Sequence, residues 1–95
     1  MKWVSFENGT TIGQTGSEGD EIIYDEILPN TARITLEQGS VVSITCGIFG
    51  TLVNTTFASS LDEGKKKYDA MKLAIENAPN DDSLMEWCDW FVNKF

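Results

Sequence analysis

No histidine occurs among the 95 residues, so the commonest neutral-pH base and the commonest metal ligand are both missing. Serine triads, Cys-His dyads and most zinc sites are thereby excluded. What remains is carboxylate chemistry, and Asp20, Glu21, Asp25 and Glu26 form its densest cluster. Neighbouring residues on a strand point to opposite faces, so Asp25 and Glu26 cannot converge on one substrate. The cluster reads instead as solvated charge along a strand, which discourages edge pairing. The ordered ligand spacing of a calcium loop is absent. Cys46 has no positive neighbour in sequence to make it a nucleophile. Glycines at 9, 13, 16 and 19 suggest a phosphate loop, but no Gly-Lys-Ser/Thr follows, and Glu18, Asp20 and Glu21 would repel a phosphate. Lys65, Lys66 and Lys67 spread around a helix rather than forming a patch, with Lys67 at i,i+4 spacing from Glu63. No catalytic residue, cofactor or metal is expected, and the chain reads as a non-enzyme.

Binding chemistry is better supplied. The stretch Val42 to Phe57 reads as a β-hairpin, and a two-residue turn at Gly50-Thr51 pairs Ile48 with Val53, Cys46 with Thr55 and Ile44 with Phe57. One face is then apolar. The other carries Ser43, Thr45, Gly47, Asn54, Thr56 and Ala58, with Phe49 and Leu52 beside the turn. Ser43, Thr45, Asn54, Thr56, Phe49 and Leu52 are the expected interaction surface, joined by Trp90 of the C-terminal segment.

The elements that must position this face follow from periodicity. Lys2 to Phe6 is a short strand candidate, followed by a flexible or irregular glycine loop. Glu21 to Leu28 and Thr31 to Leu36 are strands flanking Pro29-Asn30. A two-residue loop there sets Glu26 against Arg33 as an ion pair and aligns Ile23 and Ile27 with Leu36 and Ala32. A three-residue loop brings Ile22, Tyr24 and Leu28 to the core face instead, and both registers stay open. A loop at Glu37-Gln38-Gly39, with Gly39 left-handed, aligns Ala32 and Ile34 with Ile44 and Val42. One apolar face then runs through Ala32, Ile34, Leu36, Val42, Ile44, Cys46, Ile48, Val53 and Phe57.

Ser60-Leu-Asp-Glu63 is a capping box that opens a helix, and Leu61, Gly64, Tyr68, Met71, Ile75 and Ala78 form its stripe up to Pro79. Ser83-Leu-Met-Glu86 opens a second helix with Leu84, Cys88, Phe91 and Phe95 on one side, flanked by Met85, Trp87 and Val92. The expected fold is therefore α+β: an antiparallel meander of four to five strands, then two C-terminal helices, one packed on a sheet face. A single domain spans residues 1–95.

Fifteen acids against seven bases give a net charge of −8, which opposes nucleic acid and anionic membranes. MKWVSF is too short an apolar run for a signal peptide, no membrane span is visible, and two cysteines make no disulfide scaffold, so free buried thiols and a cytoplasmic location are expected. The segments Thr15-Gly-Ser-Glu-Gly19, Ala32-Arg-Ile-Thr-Leu-Glu37 and Ile44-Thr-Cys-Gly-Ile-Phe-Gly50, with Tyr68 and Met71-Lys72 beyond, resemble a group of short uncharacterised bacterial proteins over residues 3–78. That resemblance implies a bacterial cytoplasmic domain with no assigned activity. Charge and the lack of catalytic groups point to a protein-interaction domain of inhibitor or immunity type facing a basic partner. The alternative is a small-ligand or regulatory domain using the polar sheet face, as a dimer.

Overall fold

Tight turns join each of the last four strands to the next, and a longer segment, residues 6–20, leads into them. The computed structural model describes residues 2–95. Strands β1 (Val4–Ser5), β2 (Glu21–Leu28), β3 (Ala32–Gln38), β4 (Val42–Ile48) and β5 (Leu52–Ala58) form one antiparallel sheet in that order, followed by helices α1 (Leu61–Glu76) and α2 (Leu84–Lys94). This is the α+β meander expected from periodicity. Neither helix is long and apolar enough to cross a membrane.

Two turns decide which side chains share a face. Leu28 accepts from the Thr31 amide at 2.9 Å, and Ile48 accepts from the Thr51 amide at the same distance. The second corner residue of each turn is left-handed, Asn30 at φ 61° and Gly50 at φ 75°. That is the type II pattern, which wants Gly or Asn at this corner. Each turn carries one residue more than a two-residue loop, so Leu28 pairs with Ala32 and Ile48 with Leu52.

For β2 this selects the register with Tyr24 and Leu28 inward, until a bulge between Ile22 and Tyr24 shifts the pairing. For β5 it overturns the two-residue turn: Cys46 pairs with Asn54, Ile44 with Thr56 and Ser43 with Phe57. A one-residue slip exchanges the two faces of a strand. Val53 and Phe57, expected in the core, are therefore 79% and 55% exposed. The β3–β4 loop is also displaced, to residues 39–41, and Ala32 pairs with Ile48. Here the slip is even, so Ala32, Ile34, Leu36, Val42, Ile44, Cys46 and Ile48 keep the expected face and are buried. Gly39 is not left-handed. It matters because a Cβ there would strike the Asp20 carboxylate.

Helix α1 covers the inner face, and α2 joins the core through Phe91. Gly64, Tyr68, Met71 and Ile75 of α1 and Cys88 and Phe91 of α2 are buried, and all but Gly64 and Cys88 belong to the main core cluster with the inward strand residues. The Phe91 ring lies 5.0 Å from those of both Trp87 and Phe95 in tilted contacts, and the Phe95 carbonyl accepts from the Thr56 hydroxyl at 2.6 Å. Trp90 lies against Trp87 and Phe95 at ring distances of 6.2 and 6.4 Å and is half exposed.

Local polar contacts depart from expectation where a closer partner exists. Ser60 caps the Glu63 amide at 3.1 Å, but the Glu63 carboxylate bonds Ser59 rather than closing the box on Ser60. Lys67 reaches the Phe57 carbonyl at 2.8 Å instead of Glu63. Ser83 does not cap α2: its amide and hydroxyl both donate to Asp81, at 2.9 and 2.6 Å. Glu26, expected to face Arg33, points inward and accepts from Tyr68 at 2.7 Å and Lys72 at 2.9 Å.

Gly64 is where α1 approaches the sheet most closely, since a Cβ there would press on Val42. Gly64→Val is expected to cost about 2–3 kcal/mol through overpacking, read from denaturant midpoints. Cys46 and Cys88 are free and buried. Burial pushes the Cys46 thiol up to about 11. In the unfolded chain a thiol titrates near about 8.5, so from roughly pH 9 to 11 the unfolded chain sheds a proton that the folded chain keeps. Stability therefore falls as pH rises through this window, by about 3 kcal/mol in all. Cys46→Ala removes that part of the fall, so the stability gap between wild type and variant should narrow from pH 8 to pH 11.

Candidate functional site

Register arranges the outer face in three rows that cross the strands. Asp25, Thr35, Thr45 and Thr55 make one row, Ile27, Arg33, Gly47 and Val53 the second, and Ile22, Glu37, Ser43 and Phe57 the third. The first row is tied by its own side chains: Thr35 donates to Asp25 at 3.1 Å, and the Thr45 and Thr55 hydroxyls meet at 3.0 Å.

Asp25 organises this face. Its side chain is fully buried, and it accepts from Arg33 Nε at 2.9 Å and Nη2 at 2.7 Å, from Thr35, and from the Thr11 hydroxyl at 2.8 Å. A buried carboxylate is tolerated only when its lone pairs are filled, and four donors fill them here. The reading of Asp25 as solvated edge charge is thus corrected. Its bidentate bonds also hold the guanidinium of Arg33 more firmly protonated than usual.

The glycine loop, expected to be flexible or irregular, is folded over this face as a roof. Glu7 and Asn8 take left-handed angles, φ 47° and 59°, ahead of Gly9 at 82°. This reversal lays the Phe6 ring 3.7 Å from the Arg33 guanidinium carbon and brings Thr11 to Asp25. Further along, Gly13 donates to Ile22 at 2.8 Å and Gly16 to Asp20 at 2.9 Å. The buried Glu37 carboxylate accepts from the Glu18 and Asp20 amides at 3.2 and 3.3 Å. Gly16 passes so near this carboxylate that a Cβ would collide with it.

Between roof and sheet lies an open groove of about 1020 Å³. Phe6, Gln14 and Thr15 wall one side, the hairpin tip Phe49–Val53 closes the other, and Arg33, Thr35, Thr45 and Gly47 form the floor. Gly47 stands opposite Arg33 across the ladder, and a Cβ on it would meet only Val53, at 4.0 Å. The floor beside the guanidinium is therefore bare backbone.

Of the expected surface residues, Thr45, Phe49 and Leu52 line this groove. Ser43 is on the same face but buried, its hydroxyl without a hydrogen-bond partner. Asn54 and Thr56 turn to the helix side through the β5 register, and Trp90 sits with α2. Gly47 lies on the outer face as expected, and Asp25 was read only as strand charge; Phe6, Arg33, Thr35 and the buried Glu37 are the groove residues the sequence did not point to. One signal existed: the three-residue alternative at Pro29-Asn30-Thr31 places Asp25, Arg33 and Thr35 on a single face.

Among the described residues no three Cys, Asp or Glu gather as a metal site. The Cys46 thiol belongs to the opposite face, and burial holds it protonated. The groove's lining offers hydroxyls, aromatic walls and one fixed cation, Arg33, together with the carboxylates of Glu7 and Glu37. Asp25→Asn leaves Arg33, itself partly solvated, without its counter-charge and replaces a buried acceptor oxygen by a donor, and is expected to cost about 2–3 kcal/mol, measured by denaturant unfolding. Comparison with protein-family models, with curated proteins and with solved structures finds no match to this chain.

Proposed function

We propose that the chain is a non-enzymatic binding domain whose outer groove takes a small ligand with an anionic group and an apolar body. The observation that carries this reading is Arg33. Its Nε and Nη2 are spent on Asp25, while Nη1 makes no hydrogen bond among the described residues, and the side chain, 37% exposed, lines the groove. Guanidinium binds carboxylate and phosphate in a planar fork, and a stacked, ion-paired Arg33 has lost its conformational freedom before any ligand arrives. Gly47 leaves room beside it, and Phe6 and Phe49 offer apolar contact. The net charge of −8 repels anions at long range, so attraction is confined to the groove and affinity is modest.

A second reading, an acidic interaction domain facing a basic protein, rests on another surface. Asp81, Asp82, Glu86 and Asp89 are exposed at the start of α2. Binding there should weaken steeply with salt and be indifferent to Arg33.

Titration with benzoate and phenyl phosphate, followed by amide and arginine side-chain NMR signals, tests the groove. Shifts are expected at Thr35, Thr45, Gly47 and Arg33 Nε–H, with about tenfold weaker binding in Arg33→Lys, which keeps the charge and loses the fork. Benzamidine should leave these signals unmoved. Absence of shifts up to about 10 mM ligand, or shifts centred on Lys65 to Lys67, would overturn the reading.

A further inference from the structure

We infer that β5 is a self-association edge: two copies pair through it, antiparallel about a twofold axis at Thr55, joining their five-stranded sheets into one. The inference is independent of the groove's ligand.

An open edge strand is a template for pairing, and native chains blunt such edges with charge, proline, bulges or brevity. The opposite edge, β1, is blunted by being two residues long. β5 has none of these within its own sequence; one charge reaches it from α1, Lys67, at the Phe57 end. The strand runs seven residues, Leu52–Ala58, pairs with β4 without a register shift, and contains no proline or charged residue. Among the described residues no backbone bond outside the sheet satisfies its outer side, and only the Phe57 carbonyl is met, by Lys67.

The occupant follows from charge and symmetry. No charged residue occurs from Gln38 to Leu61, although the chain carries −8 overall. A basic partner would gain most on the acidic surfaces and nothing at this edge. A second acidic copy, repelled elsewhere, meets no carboxylate in this strand, and the one charge at the edge is the Lys67 ammonium at its Phe57 end. An axis at Thr55 sets Val53 of each copy opposite Phe57 of the other, so the two most exposed apolar side chains of the outer sheet face cover one another in an isologous contact.

Sedimentation equilibrium of the full chain tests this, with Val53→Lys and Thr55→Cys as variants. Val53 is 79% exposed, so Val53→Lys leaves the fold intact while adding edge charge. A wild-type dimer at about 100 µM is expected, weakened at least about tenfold in Val53→Lys. Residues paired across such an axis lie about 5.5 Å apart at Cα, within disulfide reach, so Thr55→Cys should crosslink to a dimer under mild oxidation and Val53→Cys should not. A wild-type monomer at about 1 mM, a dimer insensitive to Val53→Lys, equal crosslinking at positions 53 and 55, or assembly growing beyond the dimer would each overturn the proposal.

Discussion

A carboxylate sealed from water on the solvent side of a sheet is the constraint on which this structure turns. Asp25 carries a charge where none is cheap, and its four hydrogen bonds draw in a strand neighbour, a cross-strand arginine and a turn 14 residues upstream. Removing water from a charge demands full compensation by the surroundings. Meeting that demand fixes Arg33, and Arg33 in turn seats Phe6. The roof of the groove is therefore held by the needs of one buried oxygen pair rather than by an apolar core of its own.

The two faces of the sheet are stabilised by different physics. On the inner face, α1 and α2 bury Ile34, Leu36, Ile44 and Phe91 completely or nearly so, and apolar burial dominates. On the outer face, rows of threonine, arginine and carboxylate are satisfied by one another and by loop amides. Glu37 shows how far this goes: a buried carboxylate held by two backbone amides, with no cation beside it. Backbone N–H groups converging on an anion supply partial positive charge without a basic side chain.

Much of the fold was legible because alternation survives even errors. The inward set from Ala32 to Ile48 is read correctly though its loop is misplaced, since a slip that preserves parity preserves the face. β5 was not legible for the opposite reason. Moving the turn corners from the expected Gly50-Thr51 to Phe49-Gly50 is a change of one residue, and it sends Asn54 and Thr56 to the helices and Val53 and Phe57 to solvent. The groove was harder still. Its floor required the β2 register, which the pair Pro29-Asn30 leaves open until the left-handed Asn30 is seen. Its roof has no periodicity to read, only glycines whose partners, Glu37 and Asp25, lie far along the chain.

The polar attachment of the roof has a kinetic consequence. Residues 6–20 contribute no member to the buried apolar cluster, so peeling them from the sheet exposes little hydrocarbon and leaves the two-helix layer intact. Segments of that kind open at free energies below that of global unfolding. Amides of the roof should therefore exchange with solvent through a separate, lower-cost event than those of β3 and β4. The expected order of opening is thus the polar roof, fastened at Asp25 and Glu37, ahead of the helix-covered apolar layer.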